Sequence, residues 1–188
     1  MNAKAITRFG MLTAVALVLG WVERFIPIAA TAPGIKLGLA NTVLLYAIYL
    51  MDVKGTALLM VMKVLLSGFL FAGLSGMLYS FAGGLLSLLV MLLLRRINGL
   101  SIIGVSIAGG VSHNIGQILA ACLVVQSRAL LGYLPILLLA GTVTGLLTGI
   151  AAKSAIKGIE AYDTNKAKKK PGNNRSPETT LTPGETKL

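Results

Sequence analysis

The chain has 188 residues, of which 55% are hydrophobic and only 12% charged, with a mean hydropathy of +0.83. A soluble domain carries about a quarter charged residues, so a water-facing surface is excluded and the chain reads as an integral membrane protein. The net charge of +11 does not mark a nucleic-acid binder, because 8 of the 17 basic residues lie beyond the last apolar run and most others sit at the ends of runs, where topology signals belong.

Six apolar runs follow one another, at about 8–26, 35–51, 54–74, 77–95, 100–125 and 130–152. Several approach the ~20 residues that cross ~30 Å of hydrocarbon. The pattern predicts an all-α integral membrane protein of six transmembrane helices over residues 1–160, followed by a disordered basic tail over 161–188. An inside N-terminus places Lys4, Arg8, Lys54, Arg95, Arg96 and the C-terminal lysines in the cytoplasm and leaves Arg24, Lys36 and Arg128 outside. Both termini are therefore expected in the cytoplasm, and the chain in the cytoplasmic membrane as a multi-pass protein. The start faintly imitates a secretory signal, but Glu23, Arg24 and Pro33 spoil that reading, so the first run is expected to stay as a helix.

Within the first run, Gly10 and Ala14 are four residues apart, as are Ala16 and Gly20. That spacing lets helix backbones approach closely, either inside the bundle or against a separate membrane subunit docked on Gly10 and Ala14. Residues 23–41 then combine Glu23, Arg24 and Lys36 with proline and glycine, an irregular stretch where the charges either pair at the membrane edge or meet a ligand. Asn41 lies deeper, and an amide inside a span has to bond something.

The third run carries Lys63 near its middle, with Thr56 and Ser67 on the same face. An ionisable residue at that depth marks a functional site by default. Glu23 and Asp52 are at the edges of runs, which leaves Lys63 to an anion, an acidic partner or a structural role. Tyr79 follows in the short connection expected over 71–80, as an interface anchor or a pocket wall. In the sixth run Gly141, Gly145 and Gly149 repeat every four residues and predict close helix packing. The single cysteine, Cys122, excludes an intramolecular disulfide, and no zinc, haem or other metal spacing is present.

The most informative stretch is 101–122. At about 100° per residue, Ser106, Gly109, Gly110, His113, Gln117 and Ala120 share one stripe, with Asn114 beside it. His113 is the chain's one histidine. A neutral imidazole and two amides need partners that hydrocarbon does not offer, so the stripe faces other helices, water or a ligand.

PGIKLGLAN (33–41), LYSFAGGLLSLL (78–89) and SIAGGVSHNIGQ (106–117) together resemble a bacterial membrane family that goes by two names, the Gx transporter family and heptaprenyl diphosphate synthase component I. The resemblance covers about residues 5–155. It implies a six-helix bundle similar to the substrate-binding S components of energy-coupling factor transporters, which capture a vitamin-like molecule for uptake by a shared membrane subunit and two ATPases. For some relatives it also implies a setting in flavin- or quinone-linked extracellular electron transfer, beside a membrane-anchored NusG-II-like protein.

The two names lead to different expectations. Prenyl chain elongation needs carboxylate clusters to hold magnesium against diphosphate, and this chain has two aspartates, Asp52 and Asp163, far apart. It also lacks a P-loop. The chain is therefore expected not to be an enzyme and to need no cofactor. The leading expectation is a transport protein that binds a small organic solute through Lys36, Asn41, Lys63, Tyr79, His113, Asn114 and Gln117, with an energising subunit docked on the first helix. The second is a non-catalytic accessory subunit of heptaprenyl diphosphate synthesis or of an electron-transfer assembly, with the polar stripe holding helices together. A third, His113 as a proton relay, lacks a membrane-centre carboxylate to share the proton.

Overall fold

The computed structural model describes residues 3–25 and 39–169. Among these the chain is all-helical, with six α-helices: α1 (Ala3–Val22), α2 (Asn41–Leu50), α3 (Val53–Ser67), α4 (Gly73–Leu94), α5 (Ile102–Val125) and α6 (Leu134–Lys169). A 3-10 turn at Glu23–Phe25 ends α1, a π-helical segment at Gly68–Ala72 joins α3 to α4, and a 3-10 segment at Arg128–Tyr133 precedes α6. Residues 1–156 form one compact unit; the second, 157–188, is helical as far as Lys169.

Three stretches are long and apolar enough to cross a membrane, Val53–Leu94, Ile102–Val125 and Arg128–Gly158, and Ile6–Val22 and Asn41–Leu50 are shorter apolar helices. The first stretch, at 42 residues, is about twice one crossing. It folds back on itself: Gly84 lies against Met60 and Gly68 against Met77, so α3 and α4 run antiparallel. The reversal comes at Gly73, whose φ of +68° suits a residue without a side chain. The connection expected over 71–80 is accordingly shorter, and Tyr79 lies inside α4, buried.

The surface is apolar and the interior mixed. Met11, Phe69, Leu123 and Leu139 are each at least two-thirds exposed, while Glu23, Lys63, His113, Asn114 and Gln117 are buried. That inversion of a soluble protein's pattern is the arrangement of a membrane protein.

At the centre lies α2. Six of its ten residues are buried, and Leu44, Leu45 and Ile48 join Met60 and Val64 of α3, Leu88 and Met91 of α4, Val105 of α5 and Ala152 of α6 in one core. On its other side Val43 and Ala47 meet Ala16 of α1 and Leu59 of α3. The second apolar run was short because its helix is enclosed by the others. The Arg95 guanidinium, at the end of α4, donates to the carbonyl of Ile48 near the end of α2, where helix carbonyls lack partners.

Small residues bring α4, α5 and α6 together. A Cβ on Gly83 would stand 2.6 Å from the His113 carbonyl oxygen, and one on Gly116 2.8 Å from that of Ala82, so α4 and α5 touch backbone to backbone. Along α6, a Cβ on Gly145 would fall 2.7 Å from Ile107 Cα and one on Gly149 2.9 Å from Ile103 Cα. The repeat of glycines at 141, 145 and 149 is thus the seam with α5. Hydrogen bonds cross these seams, with Ser87 Oγ donating to the Gly109 carbonyl at 2.8 Å and the Ser106 and Thr148 hydroxyls 2.9 Å apart. Ser106→Ala is expected to cost about 0.6 kcal/mol, the usual worth of such a bond between membrane helices, measured as reversible unfolding in mixed micelles.

Candidate functional site: a charged cavity among the helices

Five helices and the turn that ends the first of them converge on one cavity. Its lining is Ala16 and Gly20 of α1, Glu23 of the following turn, Ala40 and Asn41 at the start of α2, Lys63 and Ser67 of α3, Ser80 of α4 and His113 of α5. The small residues of α1 make the room, since side chains larger than Ala16 and Gly20 would fill it. The space open to water centres is about 20 Å³. That holds one or two waters, or the leading oxygens of a polar group.

The lining is charged and buried. Glu23 is 2% exposed, Lys63 8% and His113 3%. Ions withdrawn from water this far need hydrogen bonds to persist. The Leu39 backbone N–H donates to Glu23 Oε2 at 3.1 Å, and Lys63 Nζ donates to Asn41 Oδ1 at 2.7 Å. An ammonium only donates, so it fixes the orientation of the Asn41 amide: the oxygen faces Lys63 and the NH₂ points away from it. Asn41 Nδ2 and Ser80 Oγ, both buried, make no hydrogen bond among the described residues.

His113 is held from behind. Gln117, one turn on and fully buried, lies with its Nε2 2.8 Å from His113 Nε2. Amide and ring share one hydrogen bond, whose direction follows the tautomer of the ring. The absence of a side chain at Gly83 clears space for the ring, where a Cβ would lie 3.1 Å from His113 Cε1.

Of the residues singled out in the sequence, Asn41, Lys63 and His113 line the cavity, and Gln117 orients His113. Asn114 and Tyr79 are buried but absent from the lining. Asn114 Nδ2 donates to the Leu137 carbonyl at 2.7 Å and so bridges α5 to α6. Lys36 lies outside the described residues. Gly10 and Ala14 are exposed on α1, and among the described residues nothing stands within 4 Å of where a Gly10 Cβ would lie.

Sequence reasoning left Glu23 either to pair at the membrane edge or to meet a ligand, and did not count it among the site residues. It stood at the edge of the first run and so left Lys63 without an acidic neighbour. The turn that ends α1 carries it inward instead, into the lining that holds Lys63 and His113. The available signal was that Glu23 is the one acidic residue in the first fifty positions.

A family model described as heptaprenyl diphosphate synthase component I matches residues 12–155. The description is that of one component of a synthase, in keeping with a subunit that is not itself catalytic. Neither the curated proteins nor the solved structures contain a match.

Proposed function

The chain belongs to the heptaprenyl diphosphate synthase component I family, and on that premise we propose that it is a multi-pass membrane transport protein that binds a small organic solute in the cavity around Asn41, Lys63 and His113. The observation that carries this reading is the convergence of polar side chains from five elements on one space, with two donor-bearing groups, Asn41 Nδ2 and Ser80 Oγ, that have no partner among the described residues. A stripe that served only to hold helices together would be closed and mutually satisfied, as it is at the Ser106–Thr148 and Ser87–Gly109 contacts. An apolar enclosure with a few converging polar groups is the general form of a small-molecule site.

In this reading all six helices belong to the membrane bundle, both termini are cytoplasmic, and the arrangement is similar to that of an S component. Lys63 meets an anionic or carbonyl group of the solute, and His113, oriented by Gln117, contributes a second polar contact. Gly10 and Ala14 form the uncovered face on which an energising subunit docks.

The family description favours a second reading, a non-catalytic membrane subunit that assembles with other components of a prenyl diphosphate synthase. Native mass spectrometry of the protein released from its own membranes in mild detergent separates the two. A co-purifying small molecule, lost in His113→Ala while the helical content is retained, is the expected result. Recovery of a synthase component with no small molecule would replace the first reading with the second.

A further inference from the structure

Neighbouring helices run in opposite directions, and this gathers their basic ends. Gly83 of α4 meets His113 of α5 while Gly109 meets Met91, and Gly145 and Gly149 of α6 meet Ile107 and Ile103 of α5. Arg95 reaches the Ile48 carbonyl, which sets the end of α2 beside the end of α4. Gly20 of α1 lies against Ala40, so the start of α1 turns toward that end as well. Arg8, Lys54, Arg95, Arg96 and Lys153 are therefore exposed at one end of the bundle, where Asp52 is the one acidic side chain among the described residues. The rest of the chain brings no surplus of acid to cancel them. Residues 26–38 hold a single charge, Lys36, and beyond Gly158 the acids Glu160, Asp163, Glu178 and Glu185 face six lysines and arginines.

We propose that this end binds the phosphate headgroup of an anionic membrane lipid, held by Arg96 and Lys153 where the α4–α5 connection meets α6. Arg96 stands just past the end of α4. Lys153 is one turn beyond Gly149, which packs on Ile103 at the start of α5, so the two cations flank the connection over 95–101. Arg95 is already engaged with the Ile48 carbonyl and is left out of the assignment. Basic side chains at a membrane surface gain from anionic headgroups, and their long stems stay in apolar surroundings while the charge reaches out.

What lies beneath each cation points to a lipid. Leu85, Leu89 and Leu93 repeat every four residues along α4 and are about half exposed, and Arg96 follows Leu93 by three. Val143, Leu147 and Ile150 form a similar exposed ridge on α6, and Lys153 follows Ile150 by three. Residues three and four apart share a helix face, so each cation caps an apolar ridge. A phosphate between Arg96 and Lys153 leaves its acyl chains lying along those ridges, and a water-soluble anion would leave them unused. Ile97 and Leu100 are also exposed beside the cations. Such interleaving of basic and apolar side chains suits the boundary of a bilayer better than the surface of an acidic soluble protein.

The full-length protein in nonionic detergent is mixed with equal amounts of phosphatidylglycerol and phosphatidylcholine, and native mass spectrometry counts the lipids retained. Phosphatidylglycerol is expected to be retained about tenfold better. Arg96→Gln combined with Lys153→Gln is expected to weaken phosphatidylglycerol binding about tenfold and to leave phosphatidylcholine unchanged. Arg128→Gln, at the opposite end, is expected to change neither. All three side chains are exposed, so the variants are expected to keep the fold, which circular dichroism checks. Equal retention of the two lipids by the wild type overturns the proposal, as does an undiminished preference in the double variant. The same loss in Arg128→Gln would show that any surface cation serves, and overturns the assignment to this end. Unchanged lipid binding with loss of an acidic protein from membrane-released material would put a protein in the lipid's place. Lipid binding here is independent of the cavity and its solute.

Discussion

Lys63→Met is expected to abolish solute retention, a loss of at least about 100-fold in affinity, and to lower stability by about 3–5 kcal/mol. The two effects have different origins. The loss of binding follows from removing the cation that faces the cavity and that orients the Asn41 amide at 2.7 Å. The loss of stability follows from taking the cation out of a buried lining that it shares with the Glu23 carboxylate, 2% exposed. A second substitution separates them. Glu23→Gln added to Lys63→Met also removes the opposite charge from that lining and is expected to recover part of the stability, whereas binding stays lost. Unfolding in mixed micelles and ligand recovery by native mass spectrometry read the two quantities. Additive destabilisation in the double variant would mean that Glu23 and Lys63 do not sense each other, and would sink the account of a balanced pair.

Gly83→Val is expected to be the most damaging single change outside the charged groups, at about 3 kcal/mol or more, or a failure to assemble. Its Cβ would stand 2.6 Å from the His113 carbonyl oxygen and 2.7 Å from Gln117 Cγ. The nearest obstacle is backbone, which has no rotamer to yield, so α4 and α5 must separate. Separation withdraws His113 from the cavity and breaks the bond from Ser87 to Gly109 one turn away. Gly10→Val provides the contrast, because open space surrounds that position. It is expected to leave unfolding unchanged and to weaken only the attachment of a subunit that docks on α1. Equal damage from both substitutions would show that helix propensity, not contact, sets the cost.

Much of the architecture was legible because packing leaves a periodic record. Glycines at 141, 145 and 149 foretold a close seam, and they form one with α5. The polar stripe on α5 foretold a buried face, and His113, Asn114 and Gln117 are buried. Periodicity does not say which neighbour takes which residue. The stripe faces the groove between two helices, so Gly109 and His113 turn to α4 while Ser106, Gly110 and Asn114 turn to α6. That division is why Asn114, adjacent to His113 in sequence, serves a different purpose. Glu23 escaped for another reason: its place depends on a three-residue turn, and hydropathy windows of helical length average such a turn away.

The enclosure of α2 bears on how the protein is made. At ten residues the helix is about 15 Å long, half the thickness of the hydrocarbon layer, so it cannot hold a stable crossing alone. Synthesis delivers it before α3, α4, α5 and α6, which supply most of its contacts. During translation the segment therefore waits, shielded by the insertion machinery or lying in the interface, until the α3–α4 hairpin arrives to draw it in. The element at the heart of the finished bundle is among the first to be synthesised and among the last to reach its place.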